Sequence, residues 1–289
     1  MNATAVTPGG GHPLGDPASV VVDGADVHYW QRGDRGPELV LVHGASANAM
    51  WWHGVVPSLA SSCRVTTVDL SGHGRSGHRT SYGTDQWVRD VIGVVDHALD
   101  GHPVYVGHSL GGRLGLRYAE LRPRTMRGLV LIESLLRPAS QLAPYAPPVP
   151  QSPRFESSAE RLMTRFRLMP EHEPLDAAAM TPVVHYAMQQ TPNGWRWRYD
   201  PIAVASYDDP GVDLAASRVS VRTAFGWGSN SALVRGEVLD HALNVLRVEV
   251  SQEIEGGMHH VVISHPDDTA EFILRCVEMF SQPRRWRFR

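Results

Sequence analysis

Hydrophobic and polar positions along the chain alternate between short apolar runs and longer amphipathic stretches. The apolar runs, such as LVLV within residues 38–42 and LVLI within residues 128–132, are nearly continuous, which is typical of parallel strands buried on both faces. The amphipathic stretches repeat apolar side chains with the helical period, as Ala270, Ile273 and Val277 do near the end of the chain. This alternation predicts an α/β fold, with a mostly parallel sheet flanked by helices.

The boundaries of these elements follow from the same periodicity. Strands are predicted at residues 20–23, 27–30, 38–42, 64–70, 104–106, 128–132, 219–226 and 245–254. Helices are predicted at residues 84–99, 110–121, 231–246 and 267–280.

The segment 135–201 interrupts the alternation. It contains eleven of the 21 prolines, together with two short amphipathic pieces at residues 160–169 and 182–190 and the run GWRWRYDP. Structureless loops of this length are uncommon in folded domains, so the segment predicts a helical cap inserted over one edge of the sheet. The predicted organisation is a flexible tail at residues 1–17, a core at 18–134 and 202–282, the cap at 135–201 and a basic tail at 283–289.

Composition restricts the partners and the compartment. A net charge of -3 disfavours nucleic acid or an anionic membrane as a partner, although the runs WRWRY and RRWRFR interleave arginine with aromatic residues. The two cysteines, Cys63 and Cys276, predict buried thiols in a reducing compartment. No signal-peptide pattern and no apolar run of roughly 20 residues is present. We therefore expect a cytoplasmic monomer or homodimer.

Two glycine-rich stretches resemble nucleotide-binding motifs but lack the required context. GHGRSG at residues 72–77 has the spacing G-x-G-x-x-G, yet the next predicted helix begins only near residue 84 and no acidic residue ends a following strand. Residues 107–112 space their glycines like a phosphate-binding loop, but Arg113 and Leu114 stand where Lys and Ser or Thr are needed. No cofactor is expected from either stretch.

A third glycine pattern, GHSLG, places Ser109 between a predicted strand and a predicted helix. This G-x-S-x-G arrangement is typical of a nucleophile elbow, a strained turn that lifts the serine hydroxyl above the sheet. Over about residues 18–282 the chain resembles the α/β-hydrolase family. The resemblance implies the α/β-hydrolase fold with a cap. The run VDLSGHGRSG is similar to the family's DxxGxGxS loop, which implies a structural role for Asp69.

The resemblance also implies two further parts of the site. LVLVHGASAN is similar to the strand and HG turn that precede an oxyanion hole, which would be formed by the amides of Ala45 and Leu110. EIEGGMHHVVISHP is similar to the family's GxGH segment, whose histidine lies seven residues before a proline, and this selects His259 as the base and makes His260 its neighbour.

The catalytic acid departs from the commoner family pattern. In WGSNSALV, Ser231 stands where the family usually has a carboxylate. A subset of the family, including haloalkane dehalogenases, carries the acid one strand earlier, and Glu133 ends that strand in LVLIESLLRP. Neighbouring strands lie roughly 4.8 Å apart, so a glutamate there can reach the same imidazole. Asp240 and Glu237 are weaker candidates, and Glu133 could instead cap the start of the insertion.

A serine nucleophile indicates acyl chemistry. The sequence therefore predicts a serine hydrolase that cleaves an ester, lactone or thioester of a hydrophobic small molecule through an acyl-enzyme intermediate. A lyase, a cyclase or a ligand-binding protein on the same fold is the alternative. The fifteen histidines contain no HExxH motif, and no metal site is predicted. The predicted substrate-binding residues are Trp51, Trp52, His108, Met163, Phe166 and Tyr186.

Overall fold

The computed structural model describes residues 12–142, 152–170, 175–204 and 210–283. The strands are β1 (Asp16–Val22), β2 (Ala25–Arg32), β3 (Glu38–Val42), β4 (Arg64–Val68), β5 (Val104–His108), β6 (Gly128–Ile132), β7 (Met188–Thr191), β8 (Gly194–Trp197), β9 (Thr223–Gly228) and β10 (Val250–Ile254). The helices are α1 (Val56–Leu59), α2 (Thr84–Ala98), α3 (Leu110–Leu121), α4 (Ala159–Met163), α5 (Ala177–Ala187), α6 (Pro201–Val204), α7 (Pro210–Ala215), α8 (Gly236–Val245), α9 (Val261–Ser264) and α10 (Pro266–Ser281).

Eight of these strands form one sheet, in the order β1-β2-β4-β3-β5-β6-β9-β10. Strand β2 pairs antiparallel with β1 and β4, and every other neighbouring pair in the sheet is parallel. The predicted mostly parallel eight-stranded sheet is therefore confirmed. Within the described part of the chain, no helix is long and apolar enough to cross a membrane.

Both faces of the sheet are buried, as the continuous apolar strands require. In β3, Leu39 and Leu41 pack in the hydrophobic cluster that includes α1, α9 and α10. Val40 and Val42, which alternate with them, pack on the opposite face in the cluster that includes α2 and α3. This arrangement follows from the two-residue period of a strand, which sends successive side chains to opposite faces.

Several predicted boundaries differ from the structure. Strand β1 begins at Asp16 and Leu14 is fully buried, so the flexible tail predicted for residues 1–17 is too long; residues 1–11 lie outside the described part of the chain. Strands β9 and β10 begin four and five residues later than predicted. Irregular backbone at residues 219–222 separates β9 from a 3₁₀ turn at Ala216–Arg218, and a turn at residues 246–249 separates β10 from α8, which continues to Val245.

The segment between β6 and β9 contains a β-hairpin as well as helices. The predicted pieces at 160–169 and 182–190 overlap α4 and α5, whereas WRW of the WRWRY run forms most of β8, paired antiparallel with β7. Leu162, Val184 and Met188 form a small apolar cluster with nearby tryptophans. In β8, two tryptophans flank an arginine with the strand period, a signal that the helix-based interpretation missed.

Buried polar contacts join this segment to the sheet. Tyr186, on α5, donates its hydroxyl to Asp69 Oδ2 at 2.7 Å, and Asp69 also accepts the backbone amides of Ala49 and Arg75, each at 2.7 Å. Burial raises the pKa of Asp69 to about 6, although its hydrogen bonds favour the charged form. The contacts of Asp69 therefore hold the loop after β4 and α5 together.

Candidate functional site

Ser109 occupies a strained turn between β5 and α3. Its φ of 52° lies in the left-handed region that non-glycine residues rarely adopt. A Cβ at Gly107 would lie 2.3 Å from the backbone of Gly111 and Gly112, and a Cβ at Gly111 would lie 2.1 Å from the carbonyl oxygen of Val42. The two glycines of the G-x-S-x-G pattern are therefore required by close backbone approach, and they leave Ser109 at the start of a helix.

His259 lies in the turn between β10 and α9 and faces Ser109. Its Nε2 is 3.1 Å from Ser109 Oγ, and its Nδ1 is 3.0 Å from Glu133 Oε2. Because the carboxylate accepts the Nδ1 proton, Nε2 carries the lone pair that points at the serine hydroxyl. The structure thus brings together Ser109, His259 and Glu133, which are widely separated in the sequence.

Glu133 directly follows β6 and is fully buried. Its Oε1 accepts the backbone amide of Gly228 at 2.8 Å, and its Oε2 accepts the hydroxyl of Ser231 at 2.8 Å as well as His259. A buried carboxylate needs such partners, because desolvation without them would be costly. Glu133 therefore contacts the histidine itself, and the alternative role as a cap of the insertion is not what its contacts show.

Ser231 supports the carboxylate in a way that the sequence did not indicate. Its Oγ accepts the backbone amides of Leu233 at 3.2 Å and Val234 at 2.9 Å, so its single hydroxyl proton is directed at Glu133. The serine that stands where the family usually has an acid thus hydrogen-bonds to Glu133. The other two candidates, Asp240 and Glu237, are exposed on α8, and Glu237 accepts hydrogen bonds from Ser140 and Gln141 instead.

Two backbone amides are available beside Ser109. Among the described residues, neither the Ala45 amide nor the Leu110 amide donates to a protein acceptor. Leu110 is the first residue of α3, where unsatisfied amides favour negative charge. The turn that carries Ala45 passes close to the nucleophile, since a Cβ at Gly44 would lie 3.2 Å from Ser109 Cβ.

His43 fixes this turn, a role that sequence reasoning did not assign. The amide of Leu70 donates to His43 Nε2 at 3.2 Å, so Nδ1 carries the proton and donates to the Gly44 carbonyl at 2.7 Å. Burial lowers the pKa of His43 well below its usual value and keeps the ring neutral. The preference for histidine in the HG turn follows from this pair of contacts.

A sequence model described as the alpha/beta hydrolase family matches residues 39–272, which is more than half of the chain. The chain belongs to the alpha/beta hydrolase family. Its relatives include a pimeloyl-[acyl-carrier protein] methyl ester esterase of Aliivibrio salmonicida, 34% identical over 113 residues that make up 39% of this chain and 42% of the relative. Lipase LipV of Mycobacterium tuberculosis is 34% identical over 37% of this chain and 41% of its own length. The matched segments thus span about two fifths of these relatives.

Solved structures resemble this α/β-hydrolase over nearly its whole length. A thioesterase domain from the curacin biosynthetic pathway superposes with a TM-score of 0.75 at 20% identity, covering 90% of this chain and 99% of that one. An esterase from Mycobacterium tuberculosis superposes with a TM-score of 0.73 at 22% identity, covering 93% and 92%. At this level of identity, the likeness establishes the fold.

Of the six predicted pocket residues of the α/β-hydrolase, Trp51, Trp52 and Tyr186 belong to one hydrophobic cluster, whereas Phe166 packs against a smaller cluster within the insertion. Trp52 is completely buried in the hydrophobic core, and its substrate-binding role stays a prediction. Trp51 stacks on the ring of His108, with centroids 6.2 Å apart, and His108 donates its Nε2 proton to the His259 carbonyl at 2.8 Å. His108 thus lies beside His259, and Trp51 lies beside His108.

The three predicted pocket residues from the insertion have different surroundings. Phe166 packs edge-on against Trp197, with ring centroids 5.7 Å apart. Met163, on α4, is exposed. Tyr186 is buried with its hydroxyl on Asp69. Among the hydrogen bonds and ring contacts of these three described residues, none reaches Ser109 or His259, so their substrate-binding role stays a prediction.

Proposed function

We propose that this α/β-hydrolase is a serine hydrolase that cleaves an ester, lactone or thioester of a hydrophobic small molecule through an acyl-enzyme intermediate. The observation that supports this most directly is the continuous chain of contacts from Glu133 through His259 to Ser109, at 3.0 Å and 3.1 Å. The esterases and the lipase among its relatives support ester hydrolysis as the reaction class. The named substrates belong to those relatives.

In the proposed mechanism, His259 Nε2 accepts the hydroxyl proton while Ser109 Oγ attacks the acyl carbon. The carboxylate of Glu133 holds the ring in the correct tautomer and stabilises the imidazolium that forms. The amides of Ala45 and Leu110 donate to the developing oxyanion. His259 then protonates the leaving group, and a water molecule, activated by the same nitrogen, hydrolyses the acyl-enzyme.

The proposal includes an apolar substrate and a reducing compartment. Trp51 beside His108 supplies an aromatic wall next to the catalytic histidine, and we keep Met163, Phe166 and Tyr186 as candidate pocket residues. Cys63 and Cys276 are both buried free thiols, which agrees with a protein that works in the cytoplasm. We propose a small molecule as its partner, not nucleic acid or a membrane.

The test is covalent labelling with a fluorophosphonate probe, followed by peptide mapping. We expect the label on Ser109, and we expect Ser109→Ala to lower turnover of p-nitrophenyl esters by about a thousandfold or more with the fold intact. Ser62→Ala, which changes an exposed serine, serves as the matched control and should behave like the parent. Absence of labelling in the folded parent would contradict the proposal and favour a lyase, a cyclase or a ligand-binding protein.

A further inference from the structure

Three histidine side chains converge beside the proposed nucleophile. One ring nitrogen from each of His108, His259 and His260 lies within 4.8 Å of the corresponding nitrogens of the other two. The ring centroids are separated by 4.9 Å to 6.0 Å, and all three residues are buried. No sequence spacing reveals this set, because residues 108 and 259 are far apart in the sequence.

Hydrogen bonds fix which nitrogens carry lone pairs in two of the rings. His259 gives its Nδ1 proton to Glu133, so its lone pair is on Nε2. His108 donates Nε2–H to the His259 carbonyl, so its lone pair is on Nδ1, and that buried atom has no hydrogen-bond partner among the described residues. An imidazole nitrogen that carries a lone pair is the form that binds metals.

Clustered neutral imidazoles are donors that zinc and similar transition-metal ions prefer. Zn–N bonds of about 2.0–2.1 Å place the nitrogens of a tetrahedral site about 3.4 Å apart, so the three rings need only small movements to close on an ion. Glu133 behind His259 matches the usual support of a metal-binding histidine, in which a carboxylate accepts the other ring N–H.

We propose that His108, His259 and His260 bind Zn²⁺ or a similar divalent transition-metal ion, and that the bound ion inhibits the enzyme. The inhibitory part rests on the proposed function. His259 Nε2 has a single lone pair, which can either coordinate the ion or accept the proton of Ser109. Metal binding and catalysis are therefore mutually exclusive, and the site supplies a reversible means of switching the hydrolase off.

The first test follows ester turnover and fluorophosphonate labelling while Zn²⁺ is titrated. Zn²⁺ should suppress both, EDTA should restore both, and Mg²⁺ should have no effect because it prefers oxygen ligands. His260→Ala removes one ligand and should raise the inhibition constant by about tenfold or more while activity without metal persists. The control is His97→Ala, which removes an exposed histidine on α2 and should leave inhibition unchanged. Equal inhibition of His260→Ala and parent would overturn the proposal.

A second measurement does not depend on activity. Isothermal titration calorimetry of Ser109→Ala with Zn²⁺ should show one site with an affinity at least equal to that of the parent, because the three rings are intact. Adding His260→Ala to that variant should weaken binding by about tenfold or more. If Ser109→Ala fails to bind Zn²⁺, the metal site is refuted whatever the reaction. If Ser109→Ala binds Zn²⁺ but the metal-free parent is never labelled by the fluorophosphonate, the metal site is supported. The hydrolase assignment and the proposed inhibition are then both refuted.

Discussion

Replacing Glu133 by glutamine tests the relocated acid most directly. The substitution keeps the size of the side chain but exchanges one acceptor oxygen for an NH₂ donor. In the parent, the two carboxylate oxygens accept three donors, from Gly228, Ser231 and His259. An amide with one oxygen cannot satisfy all three. If the NH₂ group of the new glutamine faces His259, the imidazole proton must move from Nδ1 to Nε2. Nε2 can then no longer accept the proton of Ser109.

The size of the effect follows from the charge that is lost. Two unit charges about 4 Å apart at an effective dielectric constant of about 20 attract by about 4 kcal/mol. The contact between Glu133 and His259 is buried and 3.0 Å long, so this value is a fair measure of how much the carboxylate stabilises the imidazolium. Because about 1.4 kcal/mol corresponds to tenfold in rate, Glu133→Gln should lower kcat by about a hundredfold to a thousandfold.

The assay is steady-state turnover of a p-nitrophenyl ester, with circular dichroism to establish that the variant is folded. Glu237→Gln and Asp240→Asn are matched controls, since both residues are exposed acids on α8, and they should retain parental kcat. Near-parental activity in folded Glu133→Gln would refute the assignment of the acid. A comparable loss in either control would instead identify the replacement.

Ser231→Asp provides the complementary half of this experiment. From the sequence alone, this substitution is expected to change little in the parent, because Glu133 already supplies the acid. The structure corrects that expectation, since Ser231 Oγ lies 2.8 Å from Glu133 Oε2 and a second carboxylate there would meet the first in a buried site. We expect the single variant to lose stability and activity, whereas in the Glu133→Gln background it should recover at least about tenfold of the lost rate. No recovery would place the two positions farther apart than the structure does.

Three further predictions concern stability, each measured by denaturant unfolding. Gly107→Ala should lower the free energy of unfolding by about 3 kcal/mol, because the new Cβ meets backbone atoms. Gly83→Ala is the control: with open space around it, it should change the free energy of unfolding by less than about 1 kcal/mol. Equal effects of the two substitutions would contradict the steric argument. Tyr186→Phe should lower the free energy of unfolding by about 2 kcal/mol above pH 6, because it removes a hydrogen-bond donor from the Asp69 carboxylate. The loss should be smaller below pH 6, where Asp69 is protonated. A loss that does not depend on pH would contradict this prediction. Burial lowers the pKa of His73 from 6.5 to about 4, so between these pH values the unfolded chain binds a proton that the folded chain does not. About 3 kcal/mol of unfolding free energy is therefore present above pH 6.5 and is lost as the pH falls to 4. His73→Gln should flatten this part of the pH profile, and parallel profiles would refute it.

Local sequence patterns were sufficient for most of the fold, because the features involved are encoded by neighbouring residues. The buried strand β3 follows from its continuous apolar run, and the turn at Ser109 follows from glycines that the adjacent backbone requires. The hairpin β7–β8 was missed because β7, with the sequence MQQT, does not alternate, and because β8, with the sequence GWRW, alternates over only four residues. Short alternations of this kind carry little information on their own.

Contacts between distant parts of the chain could not be read from spacing in the same way. Trp52 and Trp51 are adjacent and chemically identical, yet one is a completely buried core residue and the other stacks on His108. The difference arises from the direction in which each side chain leaves a 3₁₀ turn, and a local pattern of two tryptophans does not specify it. The convergence of His108, His259 and His260 is equally invisible before the strands are assembled.

The proposed position of the acid shows how a family pattern can change while the contact between carboxylate and imidazole is kept. The usual site after β9 and the site after β6 belong to neighbouring parallel strands, so side chains from their carboxyl ends point into the same space. Glu133 reaches that space, and the 2.8 Å contact with Ser231 shows that the two positions meet at one point beside His259. A single negative charge is all that the imidazole can use there, since a second would be buried without a counter-charge. A small hydroxyl donor at position 231 therefore suits a glutamate at position 133. The loss of the usual acid at position 231 and the presence of an acid at position 133 are thus two parts of the same change.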